Sequence, residues 1–162
     1  MADIPSTNTH HESFEGIRRE DEYGNEFWSA RELAPLLEYP QWRNFVPVVE
    51  KAKHACERSG NEVADHFADV RKMVGIGSGA QREVPDVHLS RYACYLIVQN
   101  GDPSKPVIAN GQTYFAIQTR RQELEDSEQF TALSEDEKRL AIRKELIAHN
   151  KYLAAAAQDA GV

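Results

Sequence analysis

The chain has 162 residues, of which 41% are apolar and 28% are charged, and its formal net charge is −7. This length and composition are those of one globular domain with a buried core, which excludes a chain that is disordered throughout. No segment approaches the ~18 consecutive apolar residues of a membrane span, and residues 1–13 lack the pattern of a signal peptide, so we expect a cytoplasmic protein that does not associate with membranes.

The N-terminal part of the chain predicts a tail and then a first helix. Residues 1–11 are polar and have no period, which predicts a flexible tail. Residues 14–28 fit either a short hairpin or a helix followed by a strand. Ser29 and Glu32 have the spacing of a capping box, which predicts a helix that ends at residues 39–40.

A longer amphipathic helix is predicted for residues 41–59. Apolar side chains recur there at steps of three and four, and Gly60 follows as a stop. Pro47 lacks the amide hydrogen that an internal helix position uses. It therefore either kinks this helix or lies in the first turn of a helix that begins near Phe45.

The middle of the chain predicts two short strands on either side of a glycine loop. Apolar residues within 70–74 and 84–87 suggest the strands, and residues 75–79 form the loop between them. Residues 89–100 are apolar on nearly every side and predict a buried helix. Residues 107–124 predict another helix.

The C-terminal part is acidic at first and then helical. Residues 123–137 contain seven acidic side chains and no basic one. We expect a linker at residues 123–133 and then a helix over residues 134–162, which begins with a second capping box of Ser134 and Glu137. An apolar stripe along that helix suits packing against a core, against further polypeptide, or against a second copy in a homodimer.

The glycine loop, GIGSG, is a candidate binding site. Backbone amides in such loops can cradle a phosphate, but no Lys-Ser/Thr pair follows the last glycine, and the next residues favour a strand over the helix of a dinucleotide site. Two interpretations remain, a plain hairpin turn and a basic wing whose cations reach nucleic-acid phosphates. The candidate nucleic-acid-binding residues of this region are Arg71, Lys72, Gly75, Gly77, Gly79 and Arg82.

Three further arginines are candidates for phosphate contact. Arg91 begins the predicted buried helix, and Arg120 and Arg121 lie near the end of the next one. Arginines at helix ends often form surface ion pairs or complement the helix dipole, but a guanidinium also suits bidentate phosphate binding. The local charge allows this, because residues 40–121 carry 11 basic and 8 acidic groups, net +3.

The titratable residues do not form a known catalytic motif. The histidines are scattered, and a hydrolytic cluster of His66 with Asp65 and Asp69 competes with the commoner interpretation of solvated surface charges. Cys56 and Cys94 both lie in apolar helical patterns, where thiols behave as small buried side chains. We therefore expect neither an enzyme nor a protein that holds a metal or a cofactor.

Three long segments of the sequence resemble the bacterial DNA-damage-inducible protein D (DinD) family. They are FWSARELAPLLEYPQWRNF, VRKMVGIGSGAQREV and HLSRYACYLIVQNGDPSKPVIANGQTYFAIQTRRQEL, and the resemblance runs from Glu12 to the C-terminus. The N-terminal part of that family is similar to the BRO-N and KilA-N domains of phage antirepressors. Because chains of the family usually continue further, the resemblance implies that residues 1–162 are an N-terminal portion.

The resemblance implies an α+β fold, with a small, mostly helical BRO-N/KilA-N-like domain with short β-hairpins at residues 12–122 and a long C-terminal helix after it. It also implies a non-enzymatic regulator of the SOS response, which binds DNA, single- or double-stranded, or RecA–DNA filaments and inhibits RecA-mediated strand exchange. Two alternatives stay open. One is an interaction module that acts on RecA through its acidic surface without DNA affinity, and the other is a DNA-binding transcriptional regulator like the phage antirepressors.

Overall fold

The structure, a computed structural model, describes residues 13–141, 143 and 144. Helices and an antiparallel sheet share the chain, so the expected α+β class is confirmed. The chain forms two compact units, Met1–Phe115 and Ala116–Val162. The tail predicted for residues 1–11 lies outside the described residues.

The first unit contains a four-stranded antiparallel sheet in the order β1-β2-β4-β3. A helical turn at residues 13–16 leads into the short hairpin of β1 (Arg19–Glu20) and β2 (Glu26–Ser29), so the N-terminal segment contains both of the arrangements that the sequence allowed. β3 (Phe67–Gly75) and β4 (Gln81–Leu89) form a second hairpin, with nine residues in each strand. The two predicted strands are thus confirmed, and they are longer than the apolar pattern suggested.

Helices of the first unit contact the sheet and one another. The predicted helices near residues 29–39, 41–59, 89–100 and 107–124 are all confirmed as elements. With the short helix that precedes β3, they are α1 (Ala30–Leu36), α2 (Trp42–Arg58), α3 (Val63–His66), α4 (Arg91–Gln99) and α5 (Pro106–Ala132).

The core of the first unit forms where the strands and helices meet. Trp28 of β2, Phe45 of α2, Leu89 of β4 and Ile97 of α4 are fully buried. Both cysteines are free and buried, as the sequence predicted, and burial raises the pKa of each thiol. Apolar side chains separated by up to 80 positions in sequence, from Trp28 to Ile108, therefore pack into one cluster.

Two local predictions need correction. α2 begins at Trp42, so Pro47 lies in its second turn and not in the first turn of a helix that begins near Phe45. Leu89 ends β4, where it pairs with Phe67, and α4 starts after Ser90, whose hydroxyl accepts a hydrogen bond from the amide of Ala93 at 3.0 Å. The unbroken apolar run hid this boundary, because a buried strand end and a buried helix look alike in sequence.

The acidic region that we expected as a linker begins inside α5, which continues to Ala132. Beyond it, the hydroxyl of Ser134 accepts a hydrogen bond from the amide of Glu137 at 3.3 Å, as the second capping box predicted. Across the described part of the chain, no helix is both long and apolar enough to cross a membrane. The predicted apolar stripe and any homodimer contact along it lie outside the described residues, at Ile142, Leu146, His149, Leu153 and Ala157.

Candidate nucleic-acid interface

The glycine loop is the turn of the β3–β4 hairpin. The amide of Ala80 donates to the carbonyl of Gly77 at 3.1 Å, and the two residues between them, Ser78 and Gly79, have φ of 49° and 75°. Positive φ at both central positions is typical of a type I′ turn, which matches the twist of an antiparallel hairpin. The loop is therefore a hairpin turn. We call residues 71–85, which comprise this turn and the adjoining strand segments, the wing.

The two faces of the wing carry different charges. Side chains alternate between the faces of a strand, and residues that pair across an antiparallel ladder share a face. Lys72 pairs with Val84 and Val74 pairs with Arg82, so Lys72 and Arg82 are diagonal neighbours on one face. Arg71 projects from the opposite face, where Glu83 is its diagonal neighbour. The structure thus brings two of the three predicted wing cations together and separates the third.

The carboxylate of Asp86 joins the start of α1 to β4. Asp86 is 2% exposed; its Oδ2 accepts from the Ser29 hydroxyl at 2.5 Å, and its Oδ1 accepts from the amides of Arg31 at 3.0 Å and Val87 at 2.8 Å. The first amides of a helix have no partner within the helix and require an outside acceptor. Asp86 supplies one from a strand 55 positions away in sequence.

The predicted capping box of Ser29 and Glu32 is therefore wrong in its chemistry, although α1 begins where it predicted. Ser29 occupies the N-cap position, but its side chain makes no capping hydrogen bond and donates to Asp86 instead. For the amides of the first turn, the Asp86 carboxylate is a stronger acceptor than the Ser29 hydroxyl, because a charged partner roughly doubles the strength of a hydrogen bond. The side chain of Glu32 is left for contacts outside the cap.

Arg31, which the sequence analysis did not single out, lies beside the wing. Its Nε donates to the carbonyl of Pro85 at 2.5 Å, and its guanidinium stacks over the ring of Trp42 at 4.2 Å from the centroid. Partial burial lowers the pKa of Arg31, and the positive charge of Arg82 acts in the same direction, whereas Asp86 opposes them. Arg31 and Arg82 are therefore close enough for their charges to interact.

Glu32 ties Arg19 of β1 to Lys72 of the wing. It accepts from Arg19 Nε at 3.0 Å and from Lys72 Nζ at 3.4 Å. The hydrogen bonds from Arg19 hold the pKa of Glu32 below its usual range, and Lys72 contributes further in the same direction. Because the pKa is lowered on folding, the stabilisation is present above the ordinary glutamate pKa and is lost as the pH falls through the lowered value. We call Arg19, Arg31, Lys72 and Arg82 the basic cluster.

Arg91 is committed to contacts inside the first unit. Its Nε and Nη2 both donate to the carboxylate of Glu26 at 3.0 Å, and its Nη1 donates to Glu15 at 2.6 Å. The guanidinium also lies 4.9 Å from the ring centroid of Trp28. These hydrogen bonds, those to Glu26 first, raise the pKa of Arg91. Two carboxylates already satisfy this arginine, which favours a structural role for it over phosphate contact.

Arg120 and Arg121 belong to the second unit. Arg120 Nη1 pairs with Glu123 at 3.1 Å on the surface of α5, and Arg121 is exposed. An exposed pair of this kind contributes little to stability, so both guanidinium groups are available for contact with other molecules. Whether they share a binding surface with the wing stays a prediction.

The hypothetical hydrolytic cluster does not assemble. His66 Nδ1 lies 2.7 Å from the hydroxyl of Ser90, and its ring meets that of Tyr92, whereas Asp69 pairs with Lys53 of α2 at 3.8 Å. Within residues 13–141, 143 and 144, no three His, Cys, Asp or Glu side chains are grouped so that they could hold a metal ion. The described geometry offers this hypothesis no support.

Comparisons with known proteins agree with the resemblance in the sequence. Residues 16–116 match the model of the BRO family, N-terminal domain, and residues 133–162 match that of the DinD C-terminal domain. The chain is 61% identical over 155 residues to the DNA damage-inducible protein D of Escherichia coli (strain K12). That alignment covers 96% of this chain and 57% of the relative. No solved structure matches the chain. The resemblance to the DinD family is confirmed, and that to KilA-N stays a prediction.

Replacement of Asp86 tests whether its carboxylate holds α1 against β4. We expect Asp86→Ala to lower the free energy of unfolding by about 2 kcal/mol or more, because it leaves the Ser29 hydroxyl and the Arg31 amide without an acceptor in a buried site. Asp86→Asn keeps an acceptor for that amide and should cost less than half as much. Urea denaturation of both variants measures the difference, and equal midpoints for Asp86→Ala and the unmodified chain would contradict the role.

Proposed function

The chain belongs to the BRO family through its N-terminal domain, and on that premise we propose that it is a regulator of the DNA-damage response that binds DNA through the wing and the basic cluster. The observation that carries the proposal is the convergence of four cations from β1, α1, β3 and β4 around the base of an exposed hairpin. The name of the Escherichia coli relative, DNA damage-inducible protein D, supports the damage-response part.

The charge balance of the basic cluster suits phosphate contact. Its four cations meet two carboxylates, Glu32 and Asp86, and Asp86 is buried and occupied by the start of α1. Arg82 is exposed and, among the described residues, has no carboxylate partner. DNA phosphates are bound mainly by Arg and Lys side chains. The cluster therefore keeps a local excess of positive charge although the chain as a whole is acidic.

We propose a non-enzymatic mode of action without a cofactor. Binding alone is the chemistry that the cluster supports, because its members are permanently charged donors without a nucleophile or a general base among them. His66, which stood out in the sequence as a possible catalytic group, is held by Ser90 and Tyr92 on another part of the first unit.

Removal of two cations from the basic cluster should weaken DNA binding in a salt-dependent way. For Lys72→Gln with Arg82→Gln we expect the slope of log K against log salt to become shallower by about two units, since each lost phosphate contact removes about one. Fluorescence anisotropy with a labelled duplex and a labelled single strand, from 50 to 300 mM salt, measures the slope.

The matched control for this experiment carries Lys51→Gln and Arg58→Gln, two exposed cations of α2. It removes the same charge from the same unit and should leave the slope unchanged within half a unit. An equal loss in both double variants would mean that net charge alone drives binding, which contradicts the proposed location. Arg71→Gln, on the opposite face of the wing, then tells whether both faces contact the duplex.

Removal of the carboxylate within the basic cluster should have the opposite effect. Glu32→Gln releases Lys72 and Arg19 from their ion pairs and removes one negative charge, so we expect DNA affinity to rise by roughly fivefold at 0.1 M salt and less at 0.5 M, where screening is stronger. The same anisotropy titration measures it, with Glu57→Gln on the exposed side of α2 as the control. A loss of affinity would show that Glu32 positions the cations and does not compete with phosphate.

A second candidate function is direct action on RecA, favoured by the acidic surface of α5. Its last ten residues, 123–132, carry four carboxylates, all exposed and without a basic residue among them: Glu123, Glu125, Asp126 and Glu128. A helix of this composition resembles a nucleic-acid backbone in charge and could occupy a basic site of a DNA-binding protein. We propose that inhibition of RecA-mediated strand exchange, if the chain has it, depends on this segment.

Neutralisation of these four carboxylates separates the two functions. The variant replaces the three glutamates with Gln and Asp126 with Asn. We expect it to lose inhibition of strand exchange while its own DNA affinity stays within twofold or rises. A strand-exchange assay with RecA, run beside the anisotropy titration, gives both readings. Unchanged inhibition in this variant, together with lost inhibition in the Lys72→Gln and Arg82→Gln variant, would assign the effect to DNA binding alone.

A further inference from the structure

The tip of the wing has one large apolar side chain, and its other residues have small side chains or none. Between residues 75 and 80 the sequence is Gly-Ile-Gly-Ser-Gly-Ala, so Ile76 is the one bulky side chain of the turn. Ile76 is 58% exposed, and Met73, three residues before it, is 54% exposed. A β-carbon added to Gly75, Gly77 or Gly79 would meet no atom within 4 Å. The tip therefore projects away from the rest of the first unit.

We propose that Ile76 is a wedge, which the wing inserts between adjacent base pairs of duplex DNA from the minor groove, and that this insertion bends the duplex. The inference rests on the proposed DNA binding and adds the kind of DNA and the mode of contact. Apolar side chains of the size of Leu, Ile and Met are the ones that minor-groove proteins place between base steps.

Distances along the wing fit this mode. Arg82 lies opposite Val74, two residues before Ile76. At ~3.3 Å per strand residue, Ile76 lies roughly 7 Å beyond the level of Arg82. This is close to the ~7.5 Å depth of the minor groove. When Arg82 contacts a phosphate at the groove edge, Ile76 therefore reaches the edges of the bases.

The shape of the tip suits a groove that opens as the wing enters. The axes of the two strands of a hairpin lie ~4.8 Å apart, the backbone atoms extend beyond those axes, and the three glycines add no side chain to that width. The minor groove of straight B-DNA is only ~6 Å wide, but it opens when a wedge kinks the duplex toward the major groove. A larger residue at any of the three glycine positions would widen the tip of the wing, which is the part that enters the groove.

The charged side chains beside the tip favour duplex DNA over other partners. The apolar side chains stand on a support that carries Lys72 and Arg82 on one face and Arg71 with Glu83 on the other, so three cations outnumber one carboxylate and each face still offers a cation to a phosphate. An apolar tip that docks into a protein cleft needs no such flanking cations. A single strand offers them phosphates but has no paired base step for a wedge to open.

The test measures DNA bending and DNA affinity separately in the full chain. A duplex of about 30 base pairs with a donor and an acceptor dye at its ends reports the bend by energy transfer, and anisotropy reports the dissociation constant. The unmodified chain should bend the duplex by an angle in the range of ~20–90° that wedge insertion produces. Ile76→Ser should abolish the bend, with a dissociation constant that rises no more than tenfold and an unchanged salt slope.

Two further variants make the outcome specific. Ile76→Phe keeps a large apolar side chain and should keep the bend. Ile117→Ser removes an isoleucine of similar exposure, 53%, from the middle of α5 and should change neither reading. Because Ile76 and Ile117 both lie on the surface, none of the variants should shift the midpoint of urea unfolding. The midpoint is measured for each variant.

The outcomes distinguish this inference from the proposed function. If the unmodified chain does not bind DNA, both are overturned. If it binds without bending the duplex, or if Ile76→Ser bends it as strongly as the unmodified chain, the wedge is overturned and the proposed DNA binding stands. Equal affinity for single-stranded and duplex DNA with no bend would also leave DNA binding intact and remove the wedge.

Discussion

The buried carboxylate of Asp86 fixes the geometry on which the candidate interface depends. It belongs to β4, yet its hydrogen bonds go to the residue before α1 and to the first turn of that helix. A helix of seven residues has too few internal hydrogen bonds to stand alone, so its orientation must come from outside. Asp86 provides that orientation, and it thereby brings Arg31 and Glu32 next to Lys72 and Arg82. Without this link, Arg31 and Glu32 of α1 would not be held beside Lys72 and Arg82, which the β3–β4 ladder already makes neighbours.

Some arginines of this acidic chain pair with carboxylates inside the fold, and others are exposed and can contact another molecule. Arg91 donates to two carboxylates and lies over an aromatic ring, so its charge is neutralised where it stands. Arg82 and Arg71 are exposed on the wing, and no carboxylate pairs with them among the described residues. At ~0.1 M salt, charges more than about 10 Å apart barely sense each other, so the charges close to the wing set the local potential and the net charge of the chain does not. The net charge of a chain is therefore a poor guide to what one of its faces binds.

Sequence patterns predicted the elements well and the contacts between them poorly. The amphipathic period gave α2 to within one residue at each end, and the glycines marked the hairpin turn. The opposite faces of Arg71 and Lys72 also follow from sequence once the strand is recognised, because neighbours on a strand always point apart. The partner of Ser29 could not be predicted, since a local capping motif and a carboxylate 57 positions away compete for one hydroxyl. For the same reason Arg91 looked like a candidate for phosphate contact until its two carboxylates were located.

The wing and the adjoining start of α1 contain features that stability does not explain. Two large apolar side chains are exposed to water, a serine takes a positive φ that non-glycine residues avoid, and like-charged Arg31 and Arg82 lie close together. Each of these lowers stability slightly, and the hairpin beyond Val84 contributes no side chain to the core. Local costs that are not offset within the fold are expected where a surface is shaped for a partner. A partner with closely spaced phosphates and flat apolar base steps would offset all but the strained serine at once, and the proposed DNA partner has that combination.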